Sequence, residues 1–361
     1  MPGSPQRTST LEDLTSNQNG GLFSLGGANA NGKKKPAWLP SSTWSRLTML
    51  VAMLQGITVT ALEIVITIYR LRLDLDNNSN SIIIYHVIMM VAQLFAFIIC
   101  WEAMVHKNTI QAIAFTVFNY VLLGFSVLLY LKYQATGVSR GLYEDSRLLE
   151  LAVIIVITSC SIAFTGLTWE IYKEFGWKIF KRLGANLEIR RMYKAYQILL
   201  TLLKLDMFFF IGYSVQLATL VYNSRDVETW IQITVAIPAS VVLLALASYA
   251  LHKENKAIMY FFMGCLALVI VYCIYKFVKM YQPDDRFSDS REYLTFFNIM
   301  TMILIITTIV NTWICCSNFG KGLREQIEAY DERRESISPR FEQGAQTLRE
   351  SGCNSERWEI D

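Results

Sequence analysis

Three ionisable side chains, Glu63, Lys204 and Asp206, lie inside long apolar stretches of the sequence. A charge at the centre of a bilayer costs about 2.5–3.5 kcal/mol, so such side chains face protein or water. Chemically, they are suited to bind a proton, an ion or a polar substrate. We therefore take these three residues as the candidate intramembrane polar site.

Glu63 is the strongest of the three candidates. It lies six residues before the end of the first predicted span, about 9 Å along a helix, which is too deep for a short side chain to reach bulk water. We therefore expect it to need a partner or a hydrated cavity. The alternative is a neutral carboxyl group that hydrogen-bonds to a neighbouring helix.

Lys204 and Asp206 are two positions apart, and residues at that spacing point to nearly opposite sides of a helix. We therefore expect these two side chains not to pair with each other. The alternative to an intramembrane role for Lys204 is a long side chain that extends to the membrane interface.

The sequence carries few signatures of catalysis. Two of its three histidines, His86 and His106, lie toward opposite ends of the second span and are 20 residues apart, about 30 Å along a helix, so the three cannot share one metal ion. No His-Glu-x-x-His zinc motif, phosphate-binding glycine loop, dinucleotide fingerprint or Gly-x-Ser-x-Gly elbow occurs. We predict no catalytic residue, no metal and no cofactor, hence no enzyme; the alternative is a membrane hydrolase that uses scattered carboxylates.

Several residues are candidates for modification. Ser336 and Ser338 lie in short kinase-type patterns, and Asn77 begins the N-glycosylation pattern Asn-x-Ser. Cys315 and Cys316 at a predicted cytosolic helix end are candidates for palmitoylation, with a role as small core residues as the alternative. No cysteine falls in a predicted lumenal loop, so we expect no disulfide framework.

The elements that position these residues are apolar helices. Hydrophobic residues make up 53% of the 361-residue chain and charged residues 17%, against about 45–50% and about 25% in soluble domains. A span needs about 20 apolar residues. We predict an all-α polytopic transmembrane helix bundle with eight spans, and seven spans as the alternative. The eight are 47–69, 82–105, 109–131, 148–172, 196–222, 230–251, 257–278 and 293–315.

The orientation follows from the basic residues, which are retained on the cytosolic side. With a cytosolic N-terminus, the cytosolic segments hold 22 of the 33 Lys and Arg residues and the opposite loops hold 9. We predict that both termini are cytosolic. Residues 1–46 then form a disordered cytosolic tail, 47–315 the transmembrane domain and 316–361 a charged cytosolic tail.

The transmembrane domain contains a possible duplication. Thr168-Trp169 and Thr312-Trp313 lie 144 positions apart, and the His-Lys pairs at His106 and His252 lie 146 positions apart. These pairs predict two parallel four-helix repeats, 47–172 and 196–315. The alternative is that tryptophans and basic residues simply favour cytosolic helix ends.

A basic cytosolic loop, 173–195, joins the two proposed repeats. Its apolar and basic side chains alternate with helical spacing up to Gly184, which is typical of a short interfacial helix that contacts anionic lipid headgroups. The alternative is an ordinary positive-inside anchor.

This region also resembles a known family. Trp169 to Lys178, Met192 to Gln197 and Leu203 to Phe210 are similar to an uncharacterised fungal family of multi-pass membrane proteins of the Golgi apparatus. The resemblance is strongest over 165–220 and extends over 45–320. It implies a Golgi membrane location in a fungus, and it implies no activity and no site residues.

These observations favour a membrane protein that transports a solute, an ion or a lipid. The main alternative is a non-catalytic scaffold or trafficking adaptor that acts through the basic loop and the tails. The lipid bilayer is the one partner we predict, and the net charge of +3 does not favour nucleic acid.

Overall fold

The structure is a computed structural model that describes residues 42–73, 80–135, 141–183, 187–221, 232–282 and 291–321. Within these ranges the elements are helices in antiparallel succession. They are α1 (Thr43–Leu73), α2 (Asn80–Val105), α3 (Thr109–Ala135), α4 (Gly141–Leu183), α5 (Leu187–Val221), α6 (Ile237–His252), α7 (Lys256–Met280) and α8 (Arg291–Asn318). A π-helical turn, Gln232–Ala236, precedes α6, and Pro238 occupies the first turn of α6, where its missing N–H costs nothing.

Eight helices in the described ranges are long and apolar enough to cross a membrane, as the sequence predicts. Helices satisfy every backbone hydrogen bond within the segment, so long apolar runs adopt this structure in lipid. Many of their large hydrophobic side chains are exposed, for example Leu94, Ile162 and Leu268. Such side chains would face acyl chains rather than water.

The segment predicted as a cytosolic loop, 173–195, is largely helical. Helix α4 continues through Leu183, beyond the end of its apolar span at Gly176, and α5 already begins at Leu187. The described parts of this segment, 173–183 and 187–195, are helical and contain no proline.

The helices pack as two four-membered rings. In the first unit, α1 packs on α2, α2 on α3, α3 on α4, and α4 returns to α1. In the second unit, α5, α6, α7 and α8 follow the same cyclic order. Helices α2 and α3 of the first unit pack on α5 of the second. Buried phenylalanines from α3, α5 and α8 fill this contact, with Phe118 and Phe208 ring centroids 5.3 Å apart and Phe125 and Phe297 also 5.3 Å apart.

The two units also share the structure of one turn. The turn between α2 and α3 contains Lys107 with φ 55°, and the turn between α6 and α7 contains Glu254 with φ 52°. In each case the next residue, Asn108 or Asn255, caps the following helix through its side-chain oxygen. Corresponding residues of the two turns are therefore 147 positions apart in the sequence.

The apolar spans of α4 and α8 also match near their ends. Trp169 and Trp313 are mostly exposed, at 62% and 59%, whereas the preceding Thr168 and Thr312 are buried. The duplication remains a prediction, which the cyclic packing and the matched turns support.

Candidate functional site

Glu63 has the partner that its depth requires. It lies on the buried face of α1, and its Oε2 is 2.7 Å from Nδ1 of His86 on α2. Both side chains are fully buried, with 0% exposure. The contact forms because His86 lies six residues into α2, at a depth that matches the last third of α1.

A third ionisable group completes the cluster. Glu150 on α4 is also fully buried, and its Oε1 lies 3.7 Å from Nδ1 of His86. One ligand atom from each of Glu63, His86 and Glu150 lies within 4.8 Å of the others, a geometry that could hold a metal ion. We call these three residues the Glu–His–Glu cluster.

The cluster was not predicted from the sequence. The spacing of the three histidines excludes a site that all three share, but it does not exclude a site of one histidine and two carboxylates from distant spans. A signal was nevertheless present. Glu63 lies near the end of its helix, whereas His86 and Glu150 lie near the beginnings of theirs, and these three ends meet on one side of the membrane.

A network of amides lies deeper in the same unit. Nε2 of Gln55 on α1 donates to Oδ1 of Asn119 on α3 at 2.7 Å and to Oε1 of Gln93 on α2 at 3.2 Å. All three side chains are buried. Gln55 is eight residues from Glu63, about 12 Å along α1, so the network and the cluster occupy successive depths.

Lys204 and Asp206 do not pair with each other, as their spacing predicts. Lys204 Nζ donates to Glu102 on α2, and Nε2 of Gln111 donates to Oε2 of the same carboxylate at 2.9 Å. The Lys204 and Glu102 side chains are each about one-third exposed, at 32% and 33%. This ion pair links the two units near one end of the bundle.

Asp206 lies in the second unit and is fully buried. Its Oδ2 accepts a hydrogen bond of 2.7 Å from Oγ1 of Thr308 on α8. The three residues of the candidate intramembrane site thus lie in three places, and Glu63 alone belongs to the Glu–His–Glu cluster. Since a single helix presents Lys204 and Asp206 to different neighbours, they could not both face Glu63.

The remaining candidates concern modification. Cys315 and Cys316 are buried, at 4% and 2% exposure, within the core of the second unit. This placement fits the core alternative, because a buried thiol is inaccessible to an acylating enzyme. Asn77, Ser336 and Ser338 lie outside the described residues.

Comparison with known proteins confirms the resemblance predicted from the sequence. Over 180 residues the chain is 33% identical to a UPF0658 Golgi apparatus membrane protein of Schizosaccharomyces pombe. The match covers 49% of this chain and 50% of that protein, so the chain spans about half the length of the curated relative it matches. No protein-family model matches the chain, and no solved structure matches it. The similarity supports an integral membrane protein of the Golgi apparatus.

Proposed function

We propose that the chain transports a cation across the Golgi membrane through the first helix unit. The observation that carries this proposal is the Glu–His–Glu cluster, in which three fully buried ionisable side chains from α1, α2 and α4 converge. The Golgi location is inferred from the similarity of about half of the chain to a Golgi apparatus membrane protein.

The charge of the cluster indicates the sign of the charge on its ligand. Two ionised carboxylates beside a neutral imidazole carry net negative charge, and a buried charge is strongly unfavourable unless it is compensated. A bound proton or metal cation supplies that compensation, whereas an anion would increase the charge imbalance. The cluster therefore favours a cation as substrate.

The polar groups of the first unit continue beyond the cluster. The Gln55–Gln93–Asn119 network lies about 12 Å away along α1. Thr116 and Thr168 form a buried hydrogen bond of 2.8 Å between α3 and α4. Buried polar groups at successive depths are typical of ion and proton pathways, although such groups also serve to hold helices together.

The proposed orientation places both termini in the cytosol, because 22 basic residues fall on that side and 9 on the other. With this orientation the Glu–His–Glu cluster lies in the lumenal half of the bundle, and the Lys204–Glu102 pair lies in the cytosolic half. A cation entering from the lumen would meet the cluster first.

Flux into proteoliposomes tests the proposal. Purified full-length protein is reconstituted, and uptake of protons and of divalent cations is followed with entrapped fluorescent indicators. We expect Glu63→Gln to reduce the flux at least about tenfold, because an amide cannot supply the negative charge. Asp206→Asn is the matched control, since it removes a buried carboxylate from the other unit. Flux equal to that of protein-free liposomes would overturn the proposal.

An adaptor function is the second candidate, and the basic segment 173–195 favours it. Helix α4 has 43 residues and continues beyond its apolar span, and residues 173–195 carry seven Lys and Arg residues. A basic segment at the cytosolic surface suits anionic lipid headgroups or acidic protein partners. Sorting or coat proteins that co-purify with the chain, and are lost on deletion of 317–361, would favour this function over transport.

A further inference from the structure

We propose that Glu63, His86 and Glu150 bind a divalent transition-metal cation of the zinc and manganese class. This class of cation would be the substrate of the proposed transport. The proposal rests on the transport function only where it concerns movement of the ion across the membrane. Binding itself is a property of the cluster.

The distances within the cluster suit direct coordination. Zinc binds histidine nitrogen and carboxylate oxygen at about 2.0–2.2 Å, which places tetrahedral ligand atoms about 3.4 Å from each other. Nδ1 of His86 lies 2.7 Å from Oε2 of Glu63 and 3.7 Å from Oε1 of Glu150. These two separations lie on either side of the required value, and the two carboxylate oxygens lie within 4.8 Å of each other, so side-chain rotations would bring all three atoms to a common metal ion.

A second observation concerns the unused oxygen of Glu63. Oε1 of this fully buried carboxylate makes no hydrogen bond within the part of the chain that the structure describes. A buried polar atom without a partner is costly in a protein interior. A metal ion held by the carboxylate would satisfy this atom and would also replace the hydrogen bond between Oε2 and His86.

The types of ligand atom select among the common divalent cations. Calcium prefers six to eight oxygen ligands, and magnesium retains most of its water shell. Imidazole suits zinc and carboxylate suits manganese, so one imidazole nitrogen with two carboxylates fits a transition-metal cation of this class. Three protein ligands would also leave a fourth coordination position open for water, so the protein would not enclose the ion completely.

Within the described residues, the second unit holds no comparable cluster. The offset of 144 that relates Trp169 to Trp313 relates Glu150 to Leu294, which is buried and apolar. We therefore expect one metal ion for each chain and not two.

The experiment measures metal binding apart from transport. The full-length protein in lipid nanodiscs is first treated with a chelator, and radioactive zinc or manganese is then titrated in excess magnesium. The variants are Glu63→Gln, His86→Asn and Glu150→Gln, with Asp206→Asn as the control in the other unit. Thermal unfolding of each variant in the absence of metal shows whether it is folded.

We expect one ion to bind to each wild-type and Asp206→Asn chain, and each cluster variant to raise the dissociation constant at least about 100-fold. Even the loss of a residue that only hydrogen-bonds to a metal ligand costs about 10–100-fold in affinity. Cobalt provides a second measurement on the wild type alone, because its visible absorption changes on coordination by nitrogen and carboxylate. This measurement applies even if every cluster variant fails to fold.

Absence of metal binding to folded wild-type protein would overturn the inference, and so would unchanged affinity in the three folded cluster variants. Metal binding without any flux would leave the site intact and contradict the transport function. Proton flux without metal binding would support the transport function and contradict the metal site.

Discussion

Nδ1 of His86 lies 2.7 Å from Oε2 of Glu63, and this contact joins two helices at a place where both side chains are fully buried. Both groups are shielded from bulk solvent, which strengthens the contact and holds α1 at a defined depth relative to α2. Glu150 of α4 lies beside the same ring nitrogen, so the contact also limits the positions that the Glu150 carboxyl group can occupy.

The first prediction concerns the coupling between Glu63 and His86. We expect the double variant Glu63→Gln, His86→Leu to lose less stability than the sum of the two single variants, by about 0.5–3 kcal/mol, because the two side chains contact each other. Reversible unfolding in mixed detergent micelles provides the free energies. Glu63→Gln with Asp206→Asn is the control pair, which should be additive. Additive losses for the first pair would show that the two side chains do not interact.

The second prediction concerns the amide network. We expect Asn119→Leu to destabilise the bundle by about 0.5–2 kcal/mol, because Gln55 loses its 2.7 Å acceptor while remaining buried. Thr58→Val, on the exposed face of α1, is the control and should change the free energy of unfolding by less than about 0.5 kcal/mol. Equal effects of the two substitutions would contradict the role of the network.

The third prediction concerns the ion pair between the two units. Lys204→Glu and Glu102→Lys should each destabilise the protein, and their combination should recover most of the loss, because the charges are exchanged. The recovery should be modest, about 0.2–1 kcal/mol, since both side chains are one-third exposed and solvent screens them. The measurement is the unfolding midpoint of the four proteins in the same detergent. A double variant no more stable than the weaker single variant would exclude a direct pair.

The fourth prediction concerns the matched helix caps. Asn255→Ala should cost about 0.5–2 kcal/mol, because the first turn of α7 loses its side-chain acceptor. Asn108→Ala should cost more, since Nδ2 of Asn108 also donates to Oε1 of Gln197 at 2.6 Å. Serine at position 255 should restore most of the stability, because its hydroxyl caps a helix as well. Thermal unfolding compares the variants, and a serine variant as unstable as the alanine variant would argue against capping.

The fifth prediction concerns the orientation in the membrane. We expect epitope tags at both termini to be digested by protease added to sealed Golgi vesicles, which expose the cytosolic face. A lumenal marker protein provides the control for intact vesicles. Protection of both tags would reverse the orientation inferred from the basic residues, and protection of one tag would indicate an odd number of spans.

The number and ends of the helices illustrate what the sequence alone can predict. Composition and run length predict eight spans, because a helix is the one open-chain structure that satisfies its own backbone in lipid. In the cytosolic segment 173–195, α4 remains helical through Leu183, beyond the end of its apolar span at Gly176. Hydropathy marks where a helix leaves the apolar core of a bilayer, and it does not mark where the helix ends.

For the candidate site, the sequence by itself determined that Glu63 lies too deep to reach bulk water and requires a partner, because depth along a helix follows from residue count. It also determined that Lys204 and Asp206 face different neighbours, because helical geometry fixes their directions. Only the tertiary structure decided that the partners of Glu63 are His86 and Glu150. These residues come from other helices, and the packing of α1 against α2 and α4, which no local sequence pattern encodes, brings the three charges together.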